Sequence, residues 1–144
     1  MKQGDHMERL EFGPWTIETD KGRTEEFYAG HHLITQDCSC EDCLHYVQAC
    51  EQFPAEIRDL FYVLGIDPCK EGEVSAFGRS GDGTHHYVVF YHFAGRLIEG
   101  PEQDETMSSY KLAGFDISFT EETDLVPERF PSPVVQVELE MYLD

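Results

Sequence analysis

Apolar side chains occupy every second position at the end of the chain, where Val135, Val137, Leu139, Met141 and Leu143 alternate with Gln136, Glu138, Glu140 and Tyr142. Period two is the signature of a strand, because successive side chains of a pleated backbone leave opposite faces. Pro131 and Pro133 stand just before it, where a helix cannot enter and a strand can begin. Residues 112–120 repeat the alternation, with Ala113, Phe115, Ile117 and Phe119 on one side and Gly114, Asp116 and Ser118 on the other. The pattern predicts one continuous strand with one wet face. In residues 84–93 both alternating sets are apolar, Tyr87, Val89, Tyr91 and Phe93 against Val88 and Phe90. That predicts a central strand covered on two sides, running on to Glu99 past a bulge or bend at Gly95. Residues 73–79 read as the strand before it, and Ser80-Gly81-Asp82-Gly83 supplies the residues of a tight hairpin. Near the start, Trp15, Ile17 and Thr19 alternate with Thr16 and Glu18, and Lys21-Gly22 reads as a turn that returns the chain towards Phe27 and Tyr28.

Helical spacing is confined to residues 39–65. Ser39 followed by Asp42 resembles a capping box and predicts a helix over about 40–50. Its stripe is Cys40, Cys43, Val47 and Cys50. A second helix over about 54–64 opens on Pro54, whose missing N–H costs nothing in a first turn. It aligns Ile57, Leu60, Phe61 and Leu64, and Gly65 stops it. Strands, then two consecutive helices, then more strands predict an α+β fold: a mostly antiparallel sheet of about five to seven strands with both helices packed on one face. Residues 1–10 are expected to be a tag or a disordered N-terminus, since Met1 to Met7 show no period and His6-Met7 resembles a cloning scar. Residues 11–144 form the single domain.

Charge narrows the partners. Ten basic side chains face 29 acidic ones, a formal charge of −19, which repels phosphate backbones and anionic lipid and favours a basic protein partner. The strongest local excess lies in residues 99–128, where nine acids face only Lys111. The same charge also serves plain solubility. No run reaches the length needed to cross a bilayer, and no signal peptide is visible. With five cysteines, an odd number, the expectation is a soluble cytoplasmic protein with reduced thiols.

The sharpest chemical candidate is Cys38-x-Cys40-x-x-Cys43, three thiols around a helix start that could converge on zinc. Zinc takes four ligands, and no second Cys-x-x-Cys pair is present; His31, His32 or Cys69 would have to supply the fourth. Cys50 lies two helical turns from Cys43, about 10 Å along the axis, and reads as core. Packing and a reactive thiol are the competing readings of the cluster. His85, His86 and His92 suit proton transfer, but in a strand His86 and His92 share a face about 20 Å apart while His85 points the other way. No nucleophile elbow, phosphate loop, dinucleotide fingerprint or zinc-protease motif occurs, so no catalytic residue and no cofactor other than zinc is assigned.

Asp37-Cys38-Ser39-Cys40-Glu41-Asp42-Cys43, Phe53-Pro54, Leu64-Gly65-Ile66-Asp67-Pro68, Gly95-Arg96 and Glu99-Gly100-Pro101 form a series that resembles an uncharacterised family of short acidic bacterial proteins. The resemblance covers most of residues 15–143 and implies a bacterial cytoplasmic location, without an activity. Three functions follow, in order: a non-catalytic protein-interaction module, a zinc-binding or thiol-dependent protein built on Cys38, Cys40 and Cys43, and a small-molecule scaffold in which Tyr87, Tyr91 and Phe93 line a cavity.

Overall fold

A computed structural model describes residues 7–30, 40–70, 73–79, 81, 83–100, 110–121, 130 and 133–143. Among them the elements run β1 (Glu8–Phe12), β2 (Trp15–Thr19), α1 (Lys21–Ala29), α2 (Glu41–Cys50), α3 (Ala55–Leu64), β3 (Glu73–Arg79), β4 (His85–Glu99), β5 (Tyr110–Leu112), β6 (Phe115–Thr120) and β7 (Val134–Leu143). Every strand pair is antiparallel, in the order β1-β2-β4-β7-β6-β5 with β3 also on β4. The fold is α+β with a mostly antiparallel sheet, as the order of periodicities leads one to expect.

Long β4 organises the molecule. Residues 85–94 pair with β7 along one edge, while the opposite edge pairs first with β3 at residues 85–90 and then with β2 at residues 95–99. Between β3 and β2 the backbone of His92 and Ala94 would be left without a strand, and buried peptide groups must find partners. Helix α1 supplies them. Asp20 N–H donates to the Ala94 carbonyl at 2.8 Å, the Thr24 hydroxyl accepts from Ala94 N–H at 2.8 Å, and the Tyr28 hydroxyl serves both backbone groups of His92.

This helix corrects the expected turn at Lys21-Gly22. Asp20 caps it by accepting from Arg23 N–H at 3.2 Å, and Thr24, Phe27 and Tyr28 form its buried side. So short a stripe carries little helical periodicity, and Phe and Tyr favour strands; what selects the helix is the unpaired edge of β4, a tertiary demand. A second correction is the strand expected over residues 112–120. Ala113 (φ +51°) and Gly114 (φ +88°) make a two-residue hairpin turn, the usual geometry between antiparallel strands. Alternation passes unbroken through that turn, which hides it. A third is the N-terminus: β1 begins at Glu8, within the residues 1–10 set aside as tag or disorder, because Glu8 to Phe12 pair with β2.

Burial on the α3 stripe and along β7 follows the expected pattern. Ile57, Leu60, Phe61 and Leu64 of α3 are buried, as are Val135, Val137, Leu139 and Met141 of β7. Each such side chain contributes about 1.5–3 kcal/mol. Tyr87, Val89, Tyr91 and Phe93 are fully buried, and ring contacts join Tyr46 to Tyr87, Phe61 to Tyr91 and Phe53 to Phe115. The other face of β4 is less covered than expected, with Val88 and Phe90 only half-buried. Gly95 continues the strand; a Cβ there would collide with the carbonyl oxygen of Glu18 as β2 joins.

Candidate functional site

Three groups of polar side chains stand out against this frame. The first surrounds the start of α2. Cys40 is the N-cap, its Sγ accepting from Cys43 N–H at 3.5 Å. Cys40 is therefore exposed and outside the apolar stripe, whereas Cys43 and Cys50 are buried, with Tyr46 completing the stripe. Cys38 and Ser39 lie outside the described residues, as do His31 and His32. Among the described residues no group of three or more His, Cys, Asp or Glu side chains could hold a metal ion.

Beside this cap, the Tyr87 hydroxyl donates to the Asp42 carbonyl at 3.2 Å and lies 2.7 Å from His45 Nδ1. A hydroxyl has one proton, so His45 Nδ1 supplies the hydrogen of the second bond. His85 packs its ring 4.1 Å from that of His45. Burial, with Asp42, Cys43 and Cys40 nearby, pushes the Tyr87 phenol up to about 12. It acts as a neutral strut.

The second group lies at the end of α2. Tyr46 and Tyr91 hydroxyls are 2.7 Å apart, and the Tyr91 hydroxyl donates a hydrogen bond to the Pro68 carbonyl. Cys50 Sγ donates to the same carbonyl at 3.6 Å, while Cys69 Sγ reaches the Val47 carbonyl at 3.9 Å. The neighbouring Cys69 thiol, with burial, pushes the Cys50 thiol up strongly, while Cys50 draws that of Cys69 down against burial and the nearby Asp67 and Glu51 carboxylates. Cys50 is buried and Cys69 half-buried. An open cleft of about 490 Å³ adjoins Cys50, its charged lining residues being Arg58 and Lys70 with Glu25 and Asp67. A second cleft of about 340 Å³ lies between α2 and Leu143. Neither of these two clefts is lined by Tyr87, Tyr91 or Phe93, which are buried in the core.

The third group crosses the sheet on the side away from Tyr87 and Tyr91. Phe77 of β3, His86 of β4 and Tyr142 of β7 form a ladder of rings, with centroid separations of 5.1 and 4.4 Å. Phe77 is 61% and Tyr142 53% exposed, so the ladder ends in solvent. His86 Nε2 lies 2.6 Å from Glu140. Glu138, half-buried two positions along β7, has its carboxyl pushed up by burial and then by Glu140. No basic side chain pairs with Glu138 among the described residues. His92 lies on this face but is buried under Phe130, Nε2 against Gln136 Oε1 at 3.0 Å.

Compared with protein-family models, with curated proteins and with solved structures, the chain matches none.

Sequence reasoning placed His85 on the face opposite to His86 and His92, and the ring contacts agree. It missed the ladder and the Cys50–Cys69 contact. Tyr142 and Glu138 sit at the polar positions of an alternating strand, a signal that reads only as solvent.

Proposed function

We propose that the chain is a non-catalytic protein-interaction module that receives a Lys/Arg-rich segment of a partner protein on the Phe77–His86–Tyr142 face of the sheet. Helices α2 and α3 shield the opposite face in this reading, leaving this side as the accessible one. The supporting observation is Glu138: a carboxylate half withdrawn from water, next to a second carboxylate and without a counter-ion among the described residues. Such a pair is unfavourable in the free protein and becomes favourable when a cation is brought to it. Exposed rings at both ends of the ladder offer the flat faces that ammonium and guanidinium groups prefer. The formal charge of −19 adds long-range attraction for the same partner.

Titration with a Lys/Arg-rich peptide tests the reading. Binding should weaken as salt rises, and should drop in Glu138→Gln and Phe77→Ala but not in Glu56→Gln on α3. Equal loss in all three variants would reduce the interaction to general charge attraction, and the site would be abandoned.

A further inference from the structure

Strand register draws the Phe77–His86–Tyr142 face in more detail, because residues directly opposed in an antiparallel pair share one face. Phe90 lies between Glu73 of β3 and Glu138 of β7, and Val88 lies between Ser75 of β3 and Glu140 of β7. His86, Val88 and Phe90 follow one another along this face as a spine about 13 Å long, its two aliphatic and aromatic members half-buried. Carboxylates stand on both sides of it. Glu73 and Glu138 are two strand spacings apart, about 10 Å, with Phe90 midway. Glu73 is exposed, and neither it nor Glu138 has a basic partner among the described residues. Glu140 is bonded to His86, and Asp116 next to it is paired with Lys111.

We propose that the partner segment is an amphipathic helix that lies along β4, its apolar stripe on Val88 and Phe90 and its Lys or Arg side chains reaching Glu73 on one flank and Glu138 on the other. The proposal rests on the reading of this face as a receiver of basic segments and specifies the segment's conformation and pattern.

The arrangement of the face selects a helix over an extended chain. Side chains leave an extended segment alternately up and down, so a single row meets the sheet and can satisfy either the apolar spine or one line of acids. A helix presents a stripe more than 100° wide and is about 10 Å across, so it covers the spine and carries cations to both flanks at once. Long Lys and Arg side chains suit the flanks, since their stems lie on apolar surface while their charged ends reach outward. Charge also decides against a second copy of this chain as the occupant, because a protein of formal charge −19 would bring more carboxylates to the same place.

Three peptides of identical Leu and Lys composition, titrated into the full-length chain, decide the matter: one with Leu at helical spacing, one with Leu at every second position, and one scrambled. The first should bind at least about ten-fold more tightly than the others and gain helical circular dichroism on binding. Glu73→Gln, an exposed change that leaves the core intact, should weaken it about two- to five-fold, and Glu138→Gln should weaken it further in the double variant. Equal binding of all three peptides leaves the basic-segment reading standing and overturns the helix. Loss of affinity in Glu138→Gln with none in Glu73→Gln also overturns it, since the ligand then meets one flank only. Failure of every peptide to bind removes the basic-segment reading and this proposal with it.

Discussion

The Tyr28 hydroxyl serves both backbone groups of His92, donating to its carbonyl at 3.0 Å and accepting from its N–H at 3.2 Å. A side chain on a helix thus does what a neighbouring strand does elsewhere along β4, and Thr24 does the same for Ala94.

Tyr28→Phe keeps the ring and removes the hydroxyl, leaving two buried peptide groups unpaired. An unsatisfied buried group costs about 1–3 kcal/mol, so the variant should lose about 2 kcal/mol or more. Urea unfolding followed by circular dichroism should show a lower midpoint with an unchanged slope. A midpoint equal to that of the wild-type protein would mean that water replaces the hydroxyl and that α1 does not hold this edge.

His92 makes stability depend on pH. Its Nε2 donates to Gln136, and its buried Nδ1 has no partner among the described residues. Burial lowers the pKa from its ordinary 6.5, with Gln136 opposing. Below that value the unfolded chain takes up a proton that the folded protein refuses, so stability falls as pH drops from about 6.5 towards the lowered folded value. The window closes there. Glu138 has the opposite sign, so the check is the difference between the wild-type protein and His92→Gln across pH 7 to 5. A difference that does not vary with pH would remove His92 as the cause.

Much of this architecture was legible before any coordinates. Strand β7, the long β4 and the α3 stripe announce themselves because one periodicity and one buried face coincide in each. Helix α1 does not, because its three buried side chains answer a gap in β4 that no local pattern encodes. The hairpin at Ala113-Gly114 escapes because an even-numbered turn preserves alternation. The thiol pair was half visible: Cys50 reads as core and Cys69 as a spare ligand, and only the fold of residues 65–70 around the end of α2 joins them. Cys38, central to the zinc reading, lies outside the described residues.

Gly65 ends α3 in the left-handed region, φ +81°, and a Cβ would stand 2.6 Å from the Lys21 carbonyl oxygen. Conformation and contact both exclude a side chain, and the contact is what lets α1 sit against α3. Gly65→Ala should cost more than the ~1 kcal/mol expected of strain alone. Gly81→Ala, with nothing near its Cβ, is the control. Thermal melts showing the two variants alike would mean that the α1–α3 contact yields freely.

Glu138 joins stability to the proposed function. Burial and Glu140 raise its pKa above the ordinary 4.5, so the folded protein holds that proton more tightly than the unfolded chain. Between 4.5 and the raised value the folded state binds more protons, and stability falls as pH rises through that window. At neutral pH the ionised carboxylate is a net cost, and Glu138→Gln should stabilise by about 0.5 kcal/mol once solvent screening is allowed for. Below pH 4.5 the gain should vanish, because both proteins are then neutral at that position. The same change should weaken binding of a basic peptide at pH 7. A variant that gains stability and loses affinity fits a carboxylate kept for a partner; one that loses stability at neutral pH makes Glu138 a structural group and removes the main support for the interaction face.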